Sequence, residues 1–174
     1  MKSLLMLLLV SMSIYASTFP EINGRLLSDK KTSLPQKQQY QLLIMGFGMA
    51  SAEGMTQWVK SLNLSPSSNI NWLQVPVIGS VPPFVDGFIK GGMKNSVSEN
   101  IHAHYFPYFG NKKNDILTSI HGSETLTDEV TPYIVLISPT ANIQFSKQME
   151  ASTFNIQEIS TLLESLPLEV LPIK

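Results

Sequence analysis

Leu42-Leu43-Ile44-Met45-Gly46-Phe47, followed at once by Gly48-Met49-Ala50-Ser51, is the stretch that decides how this chain folds. The apolar run is short and unbroken, which predicts a strand covered on both faces in a parallel sheet. Gly48 to Ser51 turns the chain. Ser51 suits a helix N-cap, and Glu53 suits the positive end of a helix that begins there. Met55, Trp58, Val59 and Leu62 then recur at steps of three, one and three, so the helix has one apolar face. Ser65-Pro66-Ser67-Ser68 ends it.

The elements on either side extend the pattern. Upstream, Gly24 to Pro35 reads as two extended pieces around the polar Ser28-Asp29-Lys30-Lys31, a hairpin. Downstream, Trp72 to Ile78 reads as a second strand. Pro76 offers no N–H to a ladder, which places it at a strand end or a sheet edge. Pro82-Pro83 opens a helix over Phe84 to Met93, with Phe84, Phe88 and Ile89 on one face and Gly91-Gly92 weakening its end. Residues 94–130 give no regular pattern beyond a turn or two of helix near Asn114 to Ser119. Tyr133 to Ile137 is a central strand, Ser138 to Asn142 a turn, and Ile143 to Phe145 a strand hairpinned to it. Asn155 with Glu158 reads as a capping pair. It opens a last helix with the stripe Ile156, Ile159, Leu162, Leu163 and Leu166, which stops before Pro167. Strands and helices that alternate and then close on a hairpin imply an α/β sandwich with a mixed sheet, and right-handed crossovers put helices on both faces.

The chain has 174 residues, 43% hydrophobic and 14% charged, enough apolar material for one well-packed domain. A formal net charge of −1 and the absence of any basic stripe argue against a nucleic-acid partner. Cysteine is absent, which excludes disulfides, thiol redox pairs, thiol peroxidase chemistry and thiolate metal sites. The N-terminus has the build of a signal peptide. Lys2 supplies the positive end, Leu4 to Met12 is apolar apart from Ser11, and the small residues Ala16 and Ser17 follow. Cleavage after Ala16 leaves residues 17–174 as a single domain in the periplasm or outside the cell. An uncleaved anchor is the alternative, although the apolar run falls short of the roughly 20 residues a membrane span needs. No later segment is long and apolar enough to span, and nothing in the residues calls for a cofactor.

This order of elements resembles the thioredoxin fold, a three-layer α/β/α sandwich with a mixed central sheet, here with an N-terminal β-hairpin as in redoxin-type members. Three pieces carry the resemblance: the strand Leu42–Phe47 running into a turn and helix, Thr131-Pro132 directly before Tyr133–Ile137, and the hairpin Tyr133–Phe145 leading to a C-terminal helix. The resemblance implies that Gly48-Met49-Ala50-Ser51 stands where a redox Cys-x-x-Cys would be. It also implies that Pro132 is the cis-proline facing that turn. Phe84 to Met93, followed by Tyr108-Phe109-Gly110-Asn111-Lys112, is similar to the thioredoxin-like assembly-factor family of the mitochondrial ATP synthase membrane sector and its bacterial homologues. That likeness implies a protein partner in a membrane complex.

Two sets of residues are candidates for function. Gly48, Met49, Ala50 and Ser51 with Thr131 and Pro132 can line a groove that takes an extended peptide by strand-like hydrogen bonds. Alternatively, these residues only shape a loop. His102 and His104 alternate on a segment expected to be extended, so both can point one way. With His121, and Glu99 or Asp115, they can form a zinc or copper site, to which the Met49 thioether can add. The plainer reading is three loop histidines. A hydrolase has no support: no Gly-x-Ser-x-Gly occurs, and nothing ties a serine to a histidine and an aspartate. No phosphate-binding glycine loop occurs either. The apolar tail from Leu168 to Ile173 either covers a hydrophobic edge or meets a partner. The expectation is therefore an exported, redox-inactive protein that holds a partner and does not act as an enzyme, with copper or zinc handling as the alternative.

Overall fold

The computed structural model describes residues 17–126 and 128–167. The leader expected over residues 1–16 and the tail from Leu168 to Ile173 lie outside them. The chain opens with β1 (Ile22–Arg25) and β2 (Lys31–Leu34), an antiparallel pair around the turn at Leu27 and Ser28, in agreement with the hairpin expected from the sequence. It continues through β3 (Gln41–Gly46), a 3-10 turn (Met49–Ser51), α1 (Ala52–Ser61) and β4 (Asn71–Pro76). Next come α2 (Pro83–Ser96), a 3-10 segment (Glu99–His104) and α3 (Lys113–His121). The closing elements are β5 (Tyr133–Ile137), β6 (Ile143–Gln148) and α4 (Thr153–Glu164).

The main sheet has the order β4-β3-β5-β6, with β3 parallel to β4 and antiparallel to β5. Every residue of β3 and β5 is buried, as expected of strands covered on both sides. Alternation sorts their side chains into two cores. Leu42, Ile44 and Ile134 meet Met55, Trp58 and Val59 of α1 and Ile159 of α4. Leu43, Met45, Val135 and Ile137 meet Ile116, Leu117 and Ile120 of α3, with Ile22 and Leu34 of the hairpin. These are the three layers of a thioredoxin-like sandwich. The outer edge of β4 is covered by the stretch Tyr105 to Tyr108, whose Phe106 and Tyr108 amides donate to Gln74 and Pro76 carbonyls at 2.8 and 2.9 Å. Pro76 is the last residue of the edge strand, where its missing N–H costs nothing.

Four local expectations are corrected. Helix α2 runs through Gly91-Gly92 to Ser96. An added Cβ at either glycine meets nothing within 4 Å, so both sit on an open face where no packing opposes them. Helix α4 begins three residues early: Ser152 is the N-cap and accepts from the Asn155 amide at 3.3 Å, while Glu158 pairs with Lys147 at 3.0 Å. Ser51 does not cap α1. Its own backbone is already helical, so its hydroxyl donates back to the Gly48 carbonyl at 2.7 Å. The Thr131-Pro132 bond is trans. Among the described residues the cis peptide is Leu34-Pro35. No described helix is long and apolar enough to cross a membrane.

Helix α1 is tied to the segment that follows the edge strand β6 by one buried bond, from Trp58 Nε1 to the Met149 carbonyl at 2.9 Å. Trp58→Phe keeps most of the apolar volume but strands that carbonyl. Chemical denaturation should show a loss of about 1–3 kcal/mol, and an unchanged midpoint would mean that water satisfies the carbonyl.

Candidate functional site

Strands β3 and β4 finish at the same end of the sheet, and β5 begins there. At that end a cleft of about 260 Å³ opens between α1 and the loop before β5. Ala50, Glu53, Gly54 and Gln57 form one wall, and Val130, Thr131 and Pro132 form the second. Glu150, Ala151 and Ser152, which follow β6, close the third side.

Two glycines determine how tightly this corner is built. At Gly46 an added Cβ would lie 2.1 Å from Ser51 Oγ and 2.9 Å from Met55 Sδ. The bare strand end is what lets Ser51 tuck beneath the turn. At Gly54 an added Cβ would lie 2.9 Å from Pro132 Cδ and 3.3 Å from its Cγ. A mid-helix glycine costs about 1 kcal/mol relative to alanine. Here it allows α1 to lie directly against the proline ring.

The six groove residues named from the sequence are therefore distributed unevenly. Ala50, Thr131 and Pro132 line the cleft; Gly48, Met49 and Ser51 do not. Met49 stands on the rim, 97% exposed. Ser51 is only 1% exposed, sealed between Gly46 and the Gly48 carbonyl, and has no base within its hydrogen bonds. Gly48 lies under Glu129, whose Cβ and Oε2 would each be 3.1 Å from an added Cβ. Glu53, Gln57, Val130, Glu150 and Ser152 were not legible as lining residues, because they come from segments that meet only in three dimensions.

The loop before β5 is held by its own side chains. Asp128 Oδ1 accepts from the Val130 amide at 2.7 Å and the Thr131 amide at 3.1 Å. Gln148 Nε2 donates to the Asp128 and Thr131 carbonyls at 2.8 and 2.9 Å. The Met149 amide donates to the Pro132 carbonyl at 3.1 Å. Thr131 therefore has both backbone groups engaged, and strand-like pairing with a peptide is not on offer at that residue. Hydrogen bonding from Thr131, first through its side chain and then with the Val130 and Thr131 amides, holds the Asp128 carboxyl below its ordinary value.

The three histidines go separate ways. His102 and His104 lie in a 3-10 segment, not an extended one. At three residues per turn, positions two apart point about 120° away from each other. His102 Nε2 is 3.0 Å from the Val97 carbonyl. His104 stacks on Trp72 with ring centroids 4.4 Å apart, its Nδ1 3.0 Å from the Trp72 carbonyl. His121 ends α3 with Nδ1 2.6 Å from the Tyr133 hydroxyl. Each ring is held by a different part of the protein. Among the described residues no group of three or more His, Cys, Asp or Glu is placed to hold a metal ion, and the structure does not bring His102, His104 and His121 together.

No family model matches the sequence, and no curated protein matches it. Solved structures do match. BsSco, a member of the Sco family of cytochrome c oxidase assembly proteins, is 14% identical over 87% of this chain and 94% of that one, with a TM-score of 0.58. The exposed lipoprotein thioredoxin Etrx1 of Streptococcus pneumoniae is 12% identical over 84% of this chain and all of its own, with a TM-score of 0.55. Likeness at this identity establishes the fold alone. The chain has a thioredoxin-like fold with no cysteine anywhere in its sequence.

Two outcomes follow for this corner. Because the folded-state pKa of Asp128 is lowered, its contribution to stability is complete above the unfolded carboxylate range and disappears as the pH falls through the folded value. Asp128→Asn should therefore be less stable than wild type at neutral pH in urea denaturation, with the gap closing in acid. A gap independent of pH would contradict this account. Gly54→Ala should destabilise the protein despite alanine's helix preference of about 1 kcal/mol. Stabilisation would mean that Pro132 can move aside.

Proposed function

We propose that this chain is an exported, redox-inactive binding or assembly factor that holds a segment of a protein partner at the α1 cleft. One observation carries the reading. The sheet end where this fold elsewhere places its redox turn is an open cleft with apolar residues at its rim, while Ser51, at the thiol position, is sealed underneath. Met49 on the rim and Val130 in the second wall are 97% and 60% exposed. Large apolar side chains left in water at one concave place are the ordinary mark of a partner surface. The leader expected over residues 1–16 supports export to the periplasm or beyond. BsSco belongs to the Sco family of cytochrome c oxidase assembly proteins, and the resemblance of residues 84–112 to an assembly-factor family makes a membrane complex the class of partner we favour. The partner is held by contact, with no chemical step and no cofactor.

Met49→Asp combined with Val130→Asp should reduce partner capture by the full-length tagged protein in its own cells by about tenfold or more. The thermal midpoint should barely move, since surface substitutions usually stay within about 0.5 kcal/mol. Ser51→Ala, which alters only the sealed residue, should leave capture intact. Wild-type capture by the double variant would remove the cleft from the reading.

A further inference from the structure

The cleft is acidic as well as apolar. Glu53 and Glu150 both line it, from α1 and from the segment after β6. Glu129 lies against Gly48 beside it. None of these three carboxylates has an ion pair among the described residues, whose salt bridges involve only Asp29 and Glu158 as acids. No lysine, arginine or histidine lines the cleft. Lys113 approaches the turn from α3, on the opposite face of the sheet, and its Nζ donates to the Phe47 carbonyl at 3.3 Å. Glu53 offsets the positive N-terminal end of α1. Glu150, two residues before the Ser152 N-cap, likewise lies by the positive end of α4; two helix ends of about half a charge each do not balance three carboxylates, so the cleft carries a surplus of negative charge.

Size and hydrogen bonding narrow the occupant further. The volume, about 260 Å³, is below the roughly 300–1,000 Å³ of small-molecule pockets. It suits a side chain or two of a polypeptide that continues across the rim. Thr131 is closed to strand pairing because Asp128 and Gln148 hold its amide and carbonyl. Recognition at that wall therefore falls to side chains. The exposed apolar groups are placed for neighbouring residues: Val130 lines the cleft, Met49 precedes the lining residue Ala50, and Phe154, 77% exposed, follows Ser152 by two positions.

We propose that the occupant is a polypeptide segment carrying a lysine or arginine beside large apolar side chains. The cation enters between Glu53 and Glu150, and its apolar neighbours rest on Met49 and Val130. This inference rests on the partner-capture reading and gives the partner its chemistry. The choice of a basic over an acidic segment follows from charge complementarity, which discriminates among partners more than it adds to affinity.

The test uses the full chain and fluorescein-labelled octapeptides of valine, leucine and serine with a single central lysine, glutamine or glutamate. Fluorescence anisotropy at low salt should show the lysine peptide binding about tenfold or more tighter than the glutamate peptide, with the difference shrinking as ionic strength rises. Glu53→Gln with Glu150→Gln should bring the three peptides within about twofold of one another. Equal binding of the three by the wild type overturns the inference, as does a lysine preference that survives in the double variant. If equal binding is abolished by Met49→Asp with Val130→Asp, the capture reading stands and only the charge selectivity falls. Failure of all three peptides to bind also overturns this inference, and loss or retention of the cellular partner then decides the capture reading by itself.

Discussion

The close seating of α1 against the end of the sheet is the constraint on which the rest of this corner depends. Gly46 makes room for Ser51 and Met55, and Gly54 makes room for the Pro132 ring. A methyl group at either place meets an atom at less than 3.0 Å, and close-packed interiors have no slack to absorb it. Trp58 then pins the middle of the helix to the Met149 carbonyl. With the helix fixed at three points, the cleft between α1, the loop before β5 and the segment after β6 is a feature of the rigid scaffold. A preorganised surface of this kind loses little entropy when a partner arrives.

The turn before α1 carries no thiol, and the groups around it are engaged within the fold. Ser51 fills its place as a packed, hydrogen-bonded residue, not as a nucleophile waiting for a base. The Thr131-Pro132 bond is trans, and Asp128 and Gln148 take up the backbone groups of Thr131. What remains exposed is side-chain chemistry: a thioether, a valine and unpaired carboxylates. A surface built from those groups selects partners by shape, apolar contact and charge.

Much of the fold was legible because its strongest signals are periodic and local. The apolar run after Gln41, the helical spacing of Met55, Trp58 and Val59, and the run from Tyr133 to Ile137 each report burial directly. Errors arose where competing local bonds decide the outcome. Ser51 has the composition of a cap, but its hydroxyl donates to the Gly48 carbonyl; Ser152, not Asn155, is the cap of α4. His102 and His104 alternate in sequence, but 3-10 winding parts them and Trp72 captures one ring. Half of the predicted groove lines the cleft, since Ala50, Thr131 and Pro132 flank the two turns that a sequence pattern can find. Glu53 and Glu150 are nearly a hundred residues apart, and only the fold brings them to one cleft.

The central claim is that partners are held at this one end of the sheet. A photoreactive amino acid placed at Met49 in the full-length protein, in its own cells, tests it most directly. The exposed Lys37, beyond the opposite end of β3, is the control position. The account predicts a discrete crosslinked partner from position 49 and none from position 37. Equal crosslinking from both positions, or none from position 49, would contradict it.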